Sequence, residues 1–187
     1  MALAEDYDPE EPVIEAIRGG DRYAFGELLR RHGHWVRGVV FGVLGDADRV
    51  DDVAQQVWTS VWERASGLRD VRRWRPWLYR LARNAAVDAG RETTRRRAQA
   101  HELAASAVEK SIGSPESGLV SSELHREVLG AIEALPALYR EPFVLRHLKG
   151  WSYKEIAEVM DMPVDSVETR LVRARRFLRD SLKNTMG

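Results

Sequence analysis

One segment of the sequence, residues 69–97, concentrates side chains that can bind nucleic acids. It holds ten arginines against three acids, a local charge of +7, and Trp74, Trp77 and Tyr79 lie among them. A guanidinium group pairs with phosphate oxygens, and both it and an aromatic ring stack on unpaired bases. A run of charge can also be an ordinary solvated helix face. The mixture of arginine with aromatic residues favours contact with the backbone and the unpaired bases of a nucleic acid.

A second basic cluster, with six basic residues against one acid, lies over 170–183. It belongs to the second helix of a segment with a helix-turn-helix pattern. Ser152 and Glu155 form a capping-box pattern, in which the serine side chain accepts from the glutamate amide and the glutamate side chain reaches back. The break at 161–163 separates this helix from the next. Two helices joined in this way are typical of DNA-binding proteins, although bundles with no DNA role contain them too.

The second helix of this pair divides into two faces. Its predicted buried stripe consists of Val167, Leu171, Ala174 and Leu178. The residues left for solvent or DNA are Asp165, Ser166, Glu168, Thr169, Arg170, Arg173 and Arg176. Arginine can bond to guanine or phosphate, threonine can contact the thymine methyl group, and glutamate can accept from cytosine N4. This face therefore predicts contact with duplex DNA.

The segment 50–64 predicts an amphipathic helix with a different outer surface. Val53, Val57 and Val61 recur at every fourth position and indicate a buried face. The other face is acidic and rich in amides, with Asp51, Asp52, Gln55, Gln56, Thr59 and Glu63. Two adjacent aspartates beside glutamines match a docking surface better than a pair of catalytic carboxylates.

The composition excludes several classes of protein. The 187 residues include 29 basic and 29 acidic side chains and no cysteine, which excludes a disulfide framework, a thiolate nucleophile and a cysteine-ligated zinc site, and suits the cytoplasm. The apolar stretch 39–45 is too short to cross a bilayer, and residues 1–27 are acidic. We therefore expect neither a membrane span nor a signal peptide.

The usual signs of an enzyme are missing from the sequence. It has no GxSxG, HExxH or P-loop motif, and its five histidines lack metal-ligand spacing. His32 and His34, for example, are two residues apart and cannot share a helix face. We expect no catalytic activity, no metal and no cofactor.

The apolar pattern is helical almost throughout and predicts an all-α protein of two small domains. The first domain is expected over residues 1–94, with helices near 13–18, after Asp21, and at 35–44, 50–64 and 77–91. Residues 95–121 are poor in large apolar side chains and predict a flexible linker. The second domain, 122–187, is expected to hold four helices, at 123–135, 137–148, 153–160 and 164–183.

Five segments, in this order along nearly the whole chain, resemble the extracytoplasmic-function (ECF) group of bacterial sigma factors, the smallest members of the sigma-70 family. They are GDRYAFGELL at 20–29, DDVAQQVW at 51–58, WLYRLARNAAVD at 77–88, LPALYREPF at 135–143 and GWSYKEIAEVM at 150–160, which continues to RLVRAR at 170–175. Each segment alone is weak, but five in the right order are specific.

The resemblance implies a protein that binds core RNA polymerase and directs it to promoters. The contact with core polymerase would be made by Asp51, Asp52, Gln55, Gln56, Trp58 and Thr59. The melted, single-stranded −10 element would be bound by Arg72, Arg73, Trp74, Arg75, Trp77, Tyr79, Arg80, Arg83, Asn84, Asp88 and Arg91. The duplex −35 element would be read by the polar face within 165–176. An anti-sigma factor that holds the protein inactive is also implied.

Three positions depart from the family's pattern. Asp161 stands where the turn usually has glycine, Glu168 where a lysine is usual, and Trp58 where phenylalanine is usual. Aspartate visits the left-handed backbone region more readily than most residues, so the turn remains feasible. The changes leave the −35 preference open and leave the class unchanged.

Two other functions stay open at this point. A helix-turn-helix regulator that binds duplex DNA without polymerase would explain residues 150–183 but leave 50–91 unexplained. An adaptor whose arginine and aromatic cluster binds a protein would show little salt dependence in binding polynucleotides.

Overall fold

The structure, a computed structural model, describes residues 8–104 and 123–185. Every regular element in these residues is helical, which confirms the all-α prediction. The α-helices are α1 (Glu11–Arg18), α2 (Arg22–Leu44), α3 (Val50–Arg64), α4 (Trp74–Ala104), α5 (Glu123–Glu133), α6 (Ala137–His147), α7 (Tyr153–Met160) and α8 (Val164–Thr185). Short 3₁₀ turns at Ala47–Arg49, Ala65–Gly67 and Val71–Arg73 link the helices of the first domain.

Helix α2 is a single element where the sequence predicted two. The Asp21 carboxylate caps it by accepting from the amides of Tyr23 at 2.7 Å and Ala24 at 3.1 Å. The helix ends at Gly45, whose φ of 64° is a left-handed conformation that glycine adopts without strain. The polar run at 30–34 does not break it, because Gly33 is buried while Arg30 and its charged neighbours face solvent.

Helix α4 continues to Ala104, well past the predicted end near residue 91. Thr93 and Thr94 donate to the carbonyls four residues before them, and Arg96 pairs with Glu92 at 2.8 Å on the helix surface. These local contacts extend the helix through a region with few apolar residues. The helix therefore covers the first ten residues of the predicted linker, and the rest of that linker, 105–121, lies outside the described residues.

The core of the first domain is formed by α2, α3 and α4. Leu28, Val36, Val57 and Val61 are completely buried there, together with Leu78 from α4. Burial of these apolar side chains is the main force that holds the three helices together. The predicted stripe of α3 is therefore confirmed as a core face.

The second domain has the four predicted helices. The capping box at α7 is confirmed: Ser152 Oγ accepts from the Glu155 amide at 3.2 Å, and the Glu155 carboxylate accepts from the Ser152 amide at 2.8 Å. Asp161 ends α7 in the left-handed conformation, with φ of 51°. On α8, Val167 and Leu171 are fully buried against α6 and α7, as their spacing predicted.

Helices α2 and α4 of the first domain pack directly on α6 and α7 of the second. We call this the closed arrangement. It places residues far apart in sequence side by side, and the rings of Trp35 and Trp151 stack across it. Within the described residues no helix is both long enough and apolar enough to cross a membrane.

Candidate nucleic-acid and protein interfaces

The outer face of α3 is open to solvent in the closed arrangement. The exposed residues on it are Asp51, Asp52, Gln55, Gln56 and Thr59. Asp51 and Asp52 lie in the first turn, where the partial positive charge of the helix end favours carboxylates. Asp51 also pairs with Arg37 of α2 at 2.5 Å. The face therefore presents carboxylate and amide groups on a rigid helix.

Trp58, which the sequence grouped with this face, lies on the inner side of α3. Its side chain is 8% exposed and meets the Phe25 ring edge-on, with centroids 6.1 Å apart. Trp62, one turn further, is partly exposed and lies 5.3 Å from the same phenylalanine ring. In this structure the Trp58 indole packs in the core on the side of α3 opposite the outer face.

The basic segment at the start of α4 presents most of its polar side chains to solvent. The exposed members are Arg72, Arg73, Arg75, Arg80, Arg83, Asn84, Asp88 and Arg91, and Trp77 is half-buried among them. These side chains are mostly free of strong ion pairs: Arg72 Nε is 3.8 Å from the Asp70 carboxylate, and the same distance separates Arg91 from Asp88. Most of this surface can therefore accept phosphate groups without first losing an internal salt bridge, whereas Arg83 is paired with Glu141 of α6 at 3.1 Å.

Trp74 is an exception, because it is buried with 1% of its surface exposed. Its indole Nε1 donates to the Asp8 carboxylate at 2.9 Å, and the His32 ring lies 4.9 Å away. The Arg75 guanidinium covers the same indole at 5.2 Å. The acidic amino-terminal segment thus reaches the basic segment and fixes the start of α4.

Tyr79 is the second exception, with 2% of its surface exposed. Its hydroxyl donates to the Glu141 carboxylate of α6, and Arg83 Nε donates to the same oxygen at 3.1 Å. Burial raises the pKa of Glu141, while the hydrogen bond from Tyr79 and the charge of Arg83 act in the opposite direction. Burial and the neighbouring Glu141 also raise the pKa of Tyr79, so the phenol stays protonated and donates.

The polar face of α8 is open. Asp165, Glu168, Thr169, Arg173 and Arg176 are exposed, and Ser166 and Arg170 are half-buried. Thr169 Oγ1 donates to the carbonyl of the residue four positions earlier at 2.9 Å. This contact holds the hydroxyl against its own helix, while Arg173 Nη1 donates to the Tyr139 hydroxyl of α6 at 3.4 Å. Five of the seven predicted residues are therefore exposed on this helix, and the other two are half-buried.

Arg140 and Glu141 are the functional candidates that the sequence analysis missed. Both are buried, and both connect α6 to the first domain. Arg140 donates to the carbonyls of Gly42 at 3.0 Å and Val43 at 2.9 Å, at the carboxyl end of α2. The signal in the sequence was their position one turn before the core residues Val144 and Leu145, which puts two charges near the apolar face of α6.

The closed arrangement also encloses a cavity of about 240 Å³ between the domains. Its walls include three indoles, those of Trp35, Trp74 and Trp151, with Lys149 and Glu158 at the second domain's side. Within the described residues no group of histidine, aspartate and glutamate side chains could hold a metal ion.

Comparisons with known proteins identify the family. The model for Sigma-70 region 2 matches residues 28–97, and the model for Sigma-70 region 4 matches residues 125–178. The ECF RNA polymerase sigma-E factor of Haemophilus influenzae is 31% identical over 184 residues, 95% of this chain and 97% of the relative. The Escherichia coli protein of the same name is 33% identical over 181 residues, 93% of this chain and 94% of the relative.

Two solved structures share the fold. CnrH in complex with the cytosolic domain of CnrY has a TM-score of 0.67 and 27% identity, over 95% of this chain and 99% of that one. RpoE in complex with the anti-sigma factor NepR from Bartonella quintana has a TM-score of 0.60 and 21% identity, over 85% of this chain and 96% of that one. With both sigma-70 regions in order and relatives that match over nearly their whole length, the chain belongs to the ECF group of sigma-70 factors, which bind core RNA polymerase and direct it to promoters.

Proposed function

We propose that this sigma factor divides promoter-directed initiation among three surfaces: α3 for core polymerase, the start of α4 for the −10 element and α8 for the −35 element. The observation that carries the proposal is the chemical contrast between these surfaces. The exposed face of α3 is acidic and amide-rich, whereas the exposed faces of α4 and α8 are rich in arginine. The acidic, amide-rich face suits a protein partner, and the two arginine-rich faces suit nucleic acid.

The proposed contact with core polymerase uses Asp51, Asp52, Gln55, Gln56 and Thr59, with Trp58 as the packed support below them. Exposure of the five polar residues on one helix supports this assignment. Hydrogen-bonding groups on a rigid element bind with less loss of conformational entropy than groups on a loop.

The proposed −10 contact is with a single strand. Trp77 offers a half-buried ring as a stacking platform, and the arginines around it can clamp the backbone. Capture of an extruded base costs a few kcal/mol of unstacking, which such stacking and phosphate contacts can offset. Trp74 supports this surface from the core, and Tyr79 and Arg83 would join it once they are released from Glu141.

The proposed −35 contact places the amino-terminal half of α8 in the major groove. Its first turns carry Asp165, Ser166, Glu168, Thr169 and Arg170, and Arg173 and Arg176 follow on the same side. Recognition helices of helix-turn-helix proteins contact base edges through their amino-terminal residues. The arginines would then bond to phosphate or guanine.

We further propose that an anti-sigma factor controls this chain and that the chain acts in the cytoplasm, together with RNA polymerase. The two solved relatives described above were captured with protein partners, the cytosolic domain of CnrY and the anti-sigma factor NepR. A partner that favours the closed arrangement would keep the two promoter-binding domains from separating.

The experiment that tests the proposed function is co-elution of the purified protein with bacterial core RNA polymerase on a sizing column, at moderate salt and without DNA. We expect a stoichiometric complex. A folded protein that fails to co-elute, yet shifts duplex DNA in a gel, would support the alternative of a helix-turn-helix regulator that works without polymerase.

A further inference from the structure

Glu141 is a buried acidic residue of the second domain that contacts two residues of the proposed −10 surface. It is 4% exposed, and one of its carboxylate oxygens accepts from both the Tyr79 hydroxyl and Arg83 Nε. Hydrogen bonds that involve a charged group in a buried site are stronger than neutral ones. The carboxylate therefore links the domains at the residues that would bind DNA.

Neighbouring residues allow α6 to lie close to the carboxyl end of α2. Arg140, next to Glu141, satisfies two carbonyls at the end of α2 that lack partners within the helix. A side chain at Gly45 would collide with the Arg140 guanidinium, since its Cβ would lie 2.0 Å from Nη1. A Cβ at Gly42 would lie 3.1 Å from the Glu141 Cα. Glycine at both positions permits the close approach of α6 to α2.

These contacts are made within one chain and need no second protein. Their effect on the three proposed surfaces is unequal. The polar faces of α3 and α8 remain open in the closed arrangement, whereas Tyr79 is buried and Arg83 is bound to a carboxylate. A carboxylate and a phosphate compete for the same guanidinium group, because both accept its paired N–H donors.

We propose that Glu141 is an intramolecular latch: it occupies Tyr79 and Arg83 in the place of single-stranded DNA, so the free protein withholds these two residues of its −10 surface while its polymerase-binding and −35 surfaces stay accessible. The latch rests on the proposed function of the −10 surface. It makes separation of α6 from α2 and α4 a requirement for Tyr79 and Arg83 to contact the single strand. An anti-sigma factor would then act on an equilibrium between the closed arrangement and separated domains that exists in the free chain.

The test uses the full chain and two variants that open the latch by different means. Glu141→Gln keeps the size of the side chain but removes the charge that holds Arg83. Gly42→Leu changes no charge and forces α6 away from α2. The matched controls are Glu15→Gln, an exposed glutamate on α1, and Gly26→Leu, a glycine on the same helix α2 where an added Cβ would have no neighbouring atom within 4 Å.

Two measurements are made on each protein. Because the chain has no cysteine, dyes attached at Ser66→Cys and Lys154→Cys report the separation of the domains by energy transfer. The second measurement is the affinity for a labelled 12-nucleotide single-stranded DNA of mixed sequence, with a duplex of the same sequence as reference. Circular dichroism checks that each variant keeps its helical content.

We expect both latch variants to lower the transfer efficiency and to bind the single strand about tenfold more tightly, because apparent affinity scales with the fraction of molecules whose site is accessible. Duplex affinity should change by less than about twofold, since the α8 face is already open. Both controls should match the parent protein.

The latch is overturned if both folded variants keep the parental transfer efficiency, or if the domains separate and single-strand affinity stays the same. Neither measurement requires polymerase. Failure of the latch is therefore distinct from failure of the proposed function, which the co-elution with core polymerase tests by itself.

Discussion

Trp35 of α2 stacks on Trp151, the residue before the α7 capping box, with ring centroids 5.2 Å apart and ring planes inclined by 22°. Trp35 is buried, while Trp151 is half-buried at the edge of the cavity between the domains. The stacked pair is the main aromatic contact between the two domains among the described residues. It involves none of the residues of the Glu141 latch, so the closed arrangement has an aromatic contact and a charged one.

Removal of this stacking should open the domains without damage to either DNA-binding surface. We expect Trp151→Ala to lower the energy-transfer efficiency between the dyes at positions 66 and 154, because an aromatic pair contributes about 0.5–1.5 kcal/mol beyond its buried area. Trp62→Ala, a partly exposed indole of the first domain, is the matched control. Parental transfer efficiency in Trp151→Ala would show that the aromatic pair does not hold the domains together.

Charge reversal on the outer face of α3 should weaken binding to core polymerase. Asp52 is exposed and lies in the first turn of α3. We expect Asp52→Arg to lower the affinity for core polymerase at least about tenfold, a loss of roughly 1.4 kcal/mol, because a like charge is brought against a surface that accepts an acidic one. Competition binding with a labelled parent protein measures this.

The control for Asp52 is Glu15→Arg, which reverses an exposed charge on α1. It should leave core affinity unchanged. Equal affinity for the Asp52→Arg variant and the parent would remove α3 from the interface.

Loss of the stacking ring and a neighbouring cation should affect single-strand binding alone. Trp77 is half-buried and Arg80 is exposed one turn along α4. We expect the double variant Trp77→Ala with Arg80→Ala to lose about tenfold to a hundredfold in affinity for the 12-nucleotide single strand, because stacking contributes about 1–3 kcal/mol per base. Core co-elution should remain. If polymerase binding falls by the same factor, the substitutions have disturbed the fold of the domain instead.

The capping box of α7 should contribute measurable stability to the second domain. Ser152→Ala removes the hydroxyl that accepts from the Glu155 amide, and loss of such a cap costs about 1 kcal/mol. Urea unfolding followed by circular dichroism should show the second domain melting at lower denaturant, while Ser66→Ala, a serine outside any α-helix N-terminus, should not change the transition. An identical transition for Ser152→Ala would mean that the cap adds nothing to stability.

The same cap gives a pH dependence with a definite sign. Hydrogen bonds from the Ser152 amide and hydroxyl lower the pKa of Glu155 below its ordinary value. A carboxyl whose pKa is lower in the folded state stabilises the fold above its unfolded pKa and loses that contribution as the pH falls through its folded pKa. At neutral pH the parent should therefore have a larger free energy of unfolding than Glu155→Gln. This difference should disappear in acid.

The sequence by itself determined the features that depend on residues close together along the chain. The bounds of α3 and α7 follow from the spacing of apolar residues and from the capping box, and the open face of α8 follows from helical periodicity. Local hydrogen bonds and the 3.6-residue repeat are properties of short segments, so a linear reading recovers them. The family also follows from short motifs in order.

Only the tertiary structure decided which of the predicted site residues are exposed and which are buried against a distant partner. Tyr79 is buried and donates to Glu141, 62 residues away, and Trp74 is buried and donates to Asp8, 66 residues away. Tyr79 and Glu141 meet because helices of the two domains pack together, and Trp74 meets Asp8 because the amino-terminal segment reaches the start of α4. Periodicity within one helix holds no information about either partner. The same reason explains why Arg140 and Gly42 went unnoticed. Their importance comes from the contact between α6 and α2, where a glycine leaves room for a buried pair of charges to bridge the domains.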